Sequence, residues 1–309
     1  MVRTAIGSEL RSPIIVSCGV LLVLLLQLVP VDGLLGQRAE DPSPHSAAEL
    51  IPEVRSMRPG DPFTVGLRIT LDPGWHSYWL NPGDAGQPAS ITWEIPAGFR
   101  AGEIQWPFPR TVEESTVTSY GYDGEFTLLT QISPPRFMTT GNAVRFAAEA
   151  RWLVCNNICL PASADLEFEL RLRDDQPVPA SRWRSMFAET RSRLPIQADG
   201  WDMSAFLSDD SIVLEIASME MPDRLLEGAR FFASERGVID HGAPQVFSNE
   251  DGIARIVLRK SRFLRLPFTR LKGVLVLGDN VDAEAGGVRA LDVDVVVAEP
   301  SVNEMDRQL

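Results

Sequence analysis

Arg151-Trp-Leu-Val-Cys-Asn-Asn-Ile-Cys-Leu-Pro161 carries Cys155 and Cys159, the two cysteines expected in the mature chain. Upstream, Val144, Phe146, Ala148, Ala150, Trp152 and Val154 alternate with Arg145, Glu149 and Arg151. A period of two is the pattern of a half-buried β-strand. Downstream, Leu166, Phe168, Leu170 and Leu172 alternate with Asp165, Glu167, Glu169 and Arg171. Between the two runs lies Asn156-Asn157. Asn favours turns because its side chain bonds its own backbone and tolerates left-handed conformations. The pattern predicts a β-hairpin with one cysteine on each side of its tip. Four extended residues span about 13 Å, whereas a disulfide needs Cα atoms within about 7 Å. The chain must therefore reverse between the cysteines, and the Asn pair permits it. If the alternation persists to the tip, Cys155 shares a face with Arg151 and Leu153, away from the core and within reach of other molecules.

As a staple such a bridge contributes little. Loop entropy gives about 2 kcal/mol for a five-residue ring, against about 4.7 for a 100-residue loop. A tight, exposed pair is better suited to thiol–disulfide exchange. The spacing alone leaves three readings open: redox exchange, a structural staple, and metal binding. For the last, Cu(I) is the plausible ion, since two soft thiolates can hold it.

The 309 residues, 44% of them hydrophobic, are ample for a core and suggest two domains. The formal net charge of −13 does not suit a phosphate backbone, and no run of basic residues stands out, so nucleic acid is not an expected partner. Arg3 and Arg11 precede an apolar run from Pro13 to Val31, which reads as a secretory signal over residues 1–33. The run is about long enough to span a bilayer, so an uncleaved anchor is the alternative. Cys18 falls inside this segment. Export implies an oxidising compartment in which paired cysteines form disulfides.

Along the chain, Gln37 to His45 reads as a polar tail. Phe63–Leu71 alternates as a strand and Asp72-Pro-Gly74 is a turn. Further strands are expected around Ile91–Ile95, Glu103–Trp106 and Phe126–Ile132, with a loop over Asn81–Gly86 and a long irregular one over Pro107–Gly124. Many short strands punctuated by Gly and Pro predict an all-β fold of two tandem immunoglobulin-like sandwiches, residues 46–174 and 199–299. The linker, 175–198, is expected to hold a single helix from Ser181 to Leu194. Ser181 could cap it, and a Trp183, Phe187, Leu194 stripe would pack between the domains. In the second sandwich, strands are expected at Ile212–Ile216, Ala229–Phe232, Ile253–Leu258, Gly273–Leu277 and Leu291–Val297, before a polar tail at 300–309.

Other chemistry is sparse. A Cys–His pair would require His76 or His241 to reach a cysteine. Two cysteines and one nearby histidine fall short of a zinc site. Dinucleotide and Walker patterns are absent, and no cofactor or small-molecule substrate is expected.

Four segments then carry a resemblance: Gly74-Trp-His-Ser-Tyr-Trp-Leu-Asn-Pro-Gly-Asp84, Ile104-Gln-Trp-Pro107, Tyr120-Gly-Tyr-Asp-Gly124 and Trp152–Pro161. Together, over about residues 48–173, the chain resembles the N-terminal periplasmic domain of the DsbD/ScsB-type thiol–disulfide interchange proteins. Ala229–Phe232 and Gly237–Gln245 resemble the segment that follows in ScsB-like members. The resemblance implies an immunoglobulin-like fold, with Cys155 and Cys159 as the redox pair passing electrons to periplasmic thioredoxin-like proteins. It implies a cap loop over the pair, for which Tyr120 and Tyr122 are the candidates. Full-length members continue into a membrane domain and a thioredoxin-like domain, neither of which is in this sequence. The expectation is thus a free-standing periplasmic relay served by a separate membrane thiol reductase, or a module that keeps the fold without the circuit. Cytochrome c biogenesis and copper tolerance are the processes such relays suggest. The competing reading is a non-enzymatic β-sandwich interaction protein with a structural bridge. No Lys or Arg lies within three residues of either cysteine, although Arg151 could share a strand face with Cys155, so activation of the pair would come from the partner.

Overall fold

Alternating apolar residues set the register of two β-sandwiches. The computed structural model describes residues 43–114, 117–198, 200–217, 228–250, 252–278 and 289–298. The expected signal segment, Cys18 and the C-terminal tail lie outside the described residues.

The first sandwich has a four-stranded sheet, in the order β1 (Ser46–Pro52), β3 (Phe63–Leu71), β9 (Glu125–Ser133), β6 (Arg100–Gln105). Its second sheet runs β2 (Ser56–Met57), β11 (Cys159–Leu172), β10 (Ala143–Cys155), β4 (His76–Gly83), β8 (Val117–Asp123), β7 (Arg110–Glu114), with β5 (Ser90–Glu94) also pairing β10. The core between the sheets is filled by the inward residues of the long hairpin. Phe146 faces Phe168 across the β10–β11 ladder in a stacked pair, and Phe63 and Phe99 meet Phe146 edge-on. Edge-to-face packing suits the ring quadrupole, and each large buried aromatic removes some 150–250 Å² from water.

Two expected loops are strands. Asn81, Pro82 and Gly83 continue β4, and Pro107–Gly124 contains the β7–β8 hairpin, whose tip lies outside the described residues. The prolines that suggested irregularity stand before β7 rather than in it. Gly121 makes the close β4–β8 approach feasible, because a Cβ there would lie 1.9 Å from the Ser77 carbonyl oxygen.

The expected single helix is a 3₁₀ turn, Ser181–Trp183, followed by α1, Arg184–Ser192. Ser181 does not cap it; Trp183 holds the cap position of α1, without a side-chain hydrogen bond. The apolar stripe packs on the first sandwich rather than between the two. Phe187 is buried with Ile51 and Leu129, flanked by Trp183, Met186 and Leu194. Arg191 bonds both carboxylate oxygens of Glu53, 2.6 Å each, and holds that carboxyl below its usual range.

The second sandwich comprises β12 (Ile196–Gln197), β13 (Asp202–Leu207), β14 (Ser211–Ala217), β15 (Arg230–Ala233), β16 (Val246–Glu250), β17 (Ile253–Arg259), β18 (Arg270–Val276) and β19 (Ala290–Ala298). These eight strands form a continuous ladder, β15-β18-β19-β13-β14-β17-β16, with β12 also on β19. Strand β19 pairs antiparallel with β18 along most of its length and parallel with β13 at its end. Its core includes Ile212, Leu214, Ile256, Leu258 and Leu275. The sandwiches also share side chains: Phe232, Val274 and Ala290 of the second belong to the core of the first. The described residues thereby form one compact unit.

Candidate functional site

The hairpin register pairs Ala143 with Arg171 at its base and Cys155 with Cys159 at its tip. The two cysteines form a disulfide, with Cα atoms 4.2 Å apart. The chain reverses over Asn156–Ile158, where the Asn156 amide donates to the Ile158 carbonyl at 3.0 Å. At this tip Ile158 is 60% exposed.

The cysteines differ in burial. Cys155 is fully buried, which corrects the expectation that it is reachable, while Cys159 is exposed. Strand alternation decides which face a residue occupies, but the neighbouring strands decide whether that face is covered. Along β10, strand β5 pairs with residues 147–151, and β4 takes over at the tip, where Cys155 faces His76. Cys155 is thus enclosed by β4 on one edge and β11 on the other. The outer edge of β11 meets β2 only at Arg171 and Leu172, far from the tip, so Cys159 stays open.

Register then builds a small polar row. Directly opposed residues share a sheet face, so Cys159, Cys155, His76 and Asp123 lie side by side across four strands. Tyr78, two residues along β4, points the same way, and its hydroxyl lies 3.5 Å from Cys159 Sγ and 3.3 Å from His76 Nε2. With the bridge closed neither sulfur carries a proton. In the contact with Cys159 the Tyr78 hydroxyl is therefore the donor. His76 and Tyr78 are both buried, 4% and 1% exposed, with rings edge to face. Gly86 packs against the Tyr78 ring; a Cβ there would lie 2.3 Å from it. The Gly86 carbonyl in turn accepts from Arg236 Nη2 of the second sandwich at 2.7 Å. A groove of about 600 Å³ opens beside the bridge, lined by Trp75, His76, Arg110, Asp123, Asn156 and Asn157 among others. Arg110 and Asp123 form an ion pair there at 2.7 Å.

Tyr120 and Tyr122 do not cover the bridge. They sit on β8 facing the core, since Tyr122 is paired with Ser77 and not with His76. Tyr122 stacks on Phe126 and donates to the Pro107 carbonyl at 2.6 Å. The Tyr120 hydroxyl meets His241 Nδ1 of the second sandwich at 2.9 Å. Burial pushes both phenols well above their ordinary range and holds His241 below the ordinary histidine value of 6.5. The residue in contact with the bridge is Tyr78. Sequence reasoning missed β4 (His76–Gly83) and with it Tyr78, since nothing local to that stretch indicates that it meets β10 at Cys155. Arg151, on the exposed surface, is paired with Glu149. Among the described residues, no three His, Cys, Asp or Glu side chains converge in a metal-holding group.

Among solved structures, the chain is similar to the N-terminal periplasmic domain of ScsB from Proteus mirabilis, with a TM-score of 0.59 and 13% identity over 87% of this chain and 98% of that one. At that identity the likeness establishes the fold alone. A protein of unknown function from Porphyromonas gingivalis W83 scores 0.24 at 11% identity, covering 82% of this chain and 99% of its own. The pilin SpaD of Corynebacterium diphtheriae scores 0.27 at 10%, covering 83% and 67%. Neither score carries an argument. No curated protein sequence matches the chain. The family model described as thiol:disulfide interchange protein DsbD, N-terminal, matches residues 47–170, which cover most of the first sandwich, from within β1 to within β11. Residues 47–170 are thus similar to the DsbD N-terminal family, and the Cys155–Cys159 bridge lies within the matched segment.

Proposed function

We propose that this protein is a periplasmic relay that exchanges electrons between the Cys155–Cys159 pair and thioredoxin-like proteins. The observation that carries the proposal is the asymmetry of the bridge, with Cys159 open at a hairpin tip and Cys155 enclosed between two strands. A partner's thiolate bonds to Cys159 Sγ. The Cys155–Cys159 bond breaks, and Cys155 leaves with the electron pair and takes up a proton. The partner's second thiol then displaces Cys159. This oxidises the partner to a disulfide and leaves both cysteines here as thiols. In reverse, the reduced pair reduces an oxidised partner. The Tyr78 hydroxyl lies 3.5 Å from Cys159 Sγ, where it would fix the sulfur's position, and a groove lined by His76, Asn156 and Asn157 adjoins the hairpin tip.

The periplasmic location is supported by the expected export signal and by the match of residues 47–170 to the DsbD N-terminal family. The reduction potential decides between relay and staple. Equilibration with thiol buffers is expected to give a value above about −300 mV, with reduction by a thioredoxin-like protein. A potential below that, in a bridge inert to such proteins, would establish the structural reading.

A further inference from the structure

The chain carries a net charge of −13, yet residues 252–278 contain seven Lys and Arg and no Asp or Glu. The cations are interleaved with apolar residues, so no basic run stands out in the sequence. Two of the seven, Arg262 and Arg265, lie in the loop joining β17 to β18, Ser261 to Thr269. A turn closed by the Leu264 amide on the Ser261 carbonyl, 3.0 Å, shapes its start. Two of its apolar residues, Leu264 and Phe268, pack on the second core. The other two large ones do the opposite: Phe263 is 67% exposed and Leu266 74%. Arg262 and Arg265 stand beside them in the chain, both exposed and in no ion pair among the described residues, with the Arg262 guanidinium 4.8 Å from the Phe263 ring centroid. Arg262, Phe263 and Arg265 border a cleft that Asp84, Asp209, Asp210, Glu235 and Asp240 also line, and Arg270 is paired with Asp294. Arg262 and Arg265, in no ion pair among the described residues, are the cations next to the exposed apolar pair.

We propose that this loop docks the protein on an anionic phospholipid surface, with Phe263 and Leu266 entering the headgroup region and Arg262 and Arg265 bonding lipid phosphates. Apolar side chains flanked by cations that reach back to the interface are the chemistry of peripheral membrane contact. Charge complementarity fixes the orientation, because the strongly acidic remainder of the chain is repelled by the same surface. Lipid suits the site because Phe263 and Leu266 keep most of their apolar surface exposed beside two cations, although Phe263 also borders the cleft. The inference does not depend on the thiol chemistry.

The test is sedimentation of the full chain with phosphatidylcholine vesicles, with and without phosphatidylglycerol. Any attachment through the apolar N-terminal run is common to every variant, so the readout is the increment that phosphatidylglycerol adds. Wild type is expected to show an increment that fades as salt rises. Each cation at an anionic membrane surface is worth about fivefold in affinity, so R262E/R265E is expected to weaken that increment by about 25-fold or more. F263S/L266S is expected to weaken it while leaving the thermal midpoint unchanged, since both side chains are exposed. An absent increment, or one that both variants retain, overturns the proposal. So does equal affinity for soluble poly-glutamate, which would assign the loop to an acidic protein instead.

Discussion

Two histidine–tyrosine pairs lie on opposite faces of the β4–β8 ribbon, and they do different work. His76 and Tyr78 are two residues apart on one strand, 3.3 Å between polar atoms, and their face carries the disulfide. Tyr120 and His241 are 121 residues apart, 2.9 Å between polar atoms, and their face joins the two sandwiches. Both pairs are buried and both have their rings edge to face. The difference lies in what each pair adjoins. One touches a sulfur that can be attacked; the other is ringed by Phe232 and the shared core. A buried polar pair identifies a reactive site only when a reactive atom completes it.

The comparison breaks first on stability. Tyr120→Ala removes a fully buried aromatic from the shared core and is expected to cost about 3–5 kcal/mol, measured by urea unfolding. Tyr120→Phe leaves the buried His241 without its hydroxyl partner and is expected to cost about 1–3 kcal/mol. Bridge reduction in folded Tyr120→Phe is expected to keep its wild-type rate.

The second effect is on pH. Burial holds His241 below 6.5 in the folded protein. As pH falls through 6.5, the unfolded chain takes up a proton that the folded chain resists, so stability falls. Above neutral pH both states are unprotonated and this contribution is flat. Thermal midpoints between pH 5 and 8 are expected to show the loss on the acid side, and His241→Asn should remove that part of the profile. An unchanged profile would mean that His241 is not the group responsible.

The third effect is expected at the other pair, and it is on exchange. Tyr78→Phe removes the hydroxyl that meets both Cys159 Sγ and the buried His76 Nε2, a change of about 1–3 kcal/mol, and it is expected to alter the rate at which a thioredoxin-like protein reduces the bridge. Arg236→Ala, which frees the Gly86 carbonyl packed behind Tyr78, should shift the same rate in the same direction. If neither moves it, Tyr78 is a packing residue only.

The cysteine hairpin was legible because all its information is local: two alternating runs and an Asn turn between them. The alternation placed Phe146, Ala148, Ala150, Trp152 and Val154 in the core, where they are. The burial of Cys155 was not legible, because it depends on β4, a strand some 70 residues away, reaching β10 only at the tip. Tyr120 and Tyr122 were matched to a covering role by their place in a family pattern, whereas their pairing with Thr111 and Ser77 turns them inward. The inter-sandwich contacts of Asn81 with the Ala233 and Glu235 carbonyls had no sequence signal, since Asn-Pro-Gly reads equally well as an ordinary turn. Face, strand and turn were readable from the chain; coverage by distant strands was not.

The most direct test of the account is the reactivity of each cysteine alone. Cys155→Ser and Cys159→Ser are each mixed with a thioredoxin-like protein whose one remaining cysteine carries a thionitrobenzoate leaving group, and release of the chromophore is followed. Both variants are expected to stay folded, since the bridge contributes only about 2 kcal/mol. With the bridge opened, Cys155→Ser leaves the exposed Cys159 thiol and is predicted to form a DTT-sensitive adduct quickly. Cys159→Ser leaves only the enclosed Cys155 and is predicted to react slowly or not at all. Equal rates, or faster reaction through Cys155, would contradict the assignment of Cys159 as the point of attack.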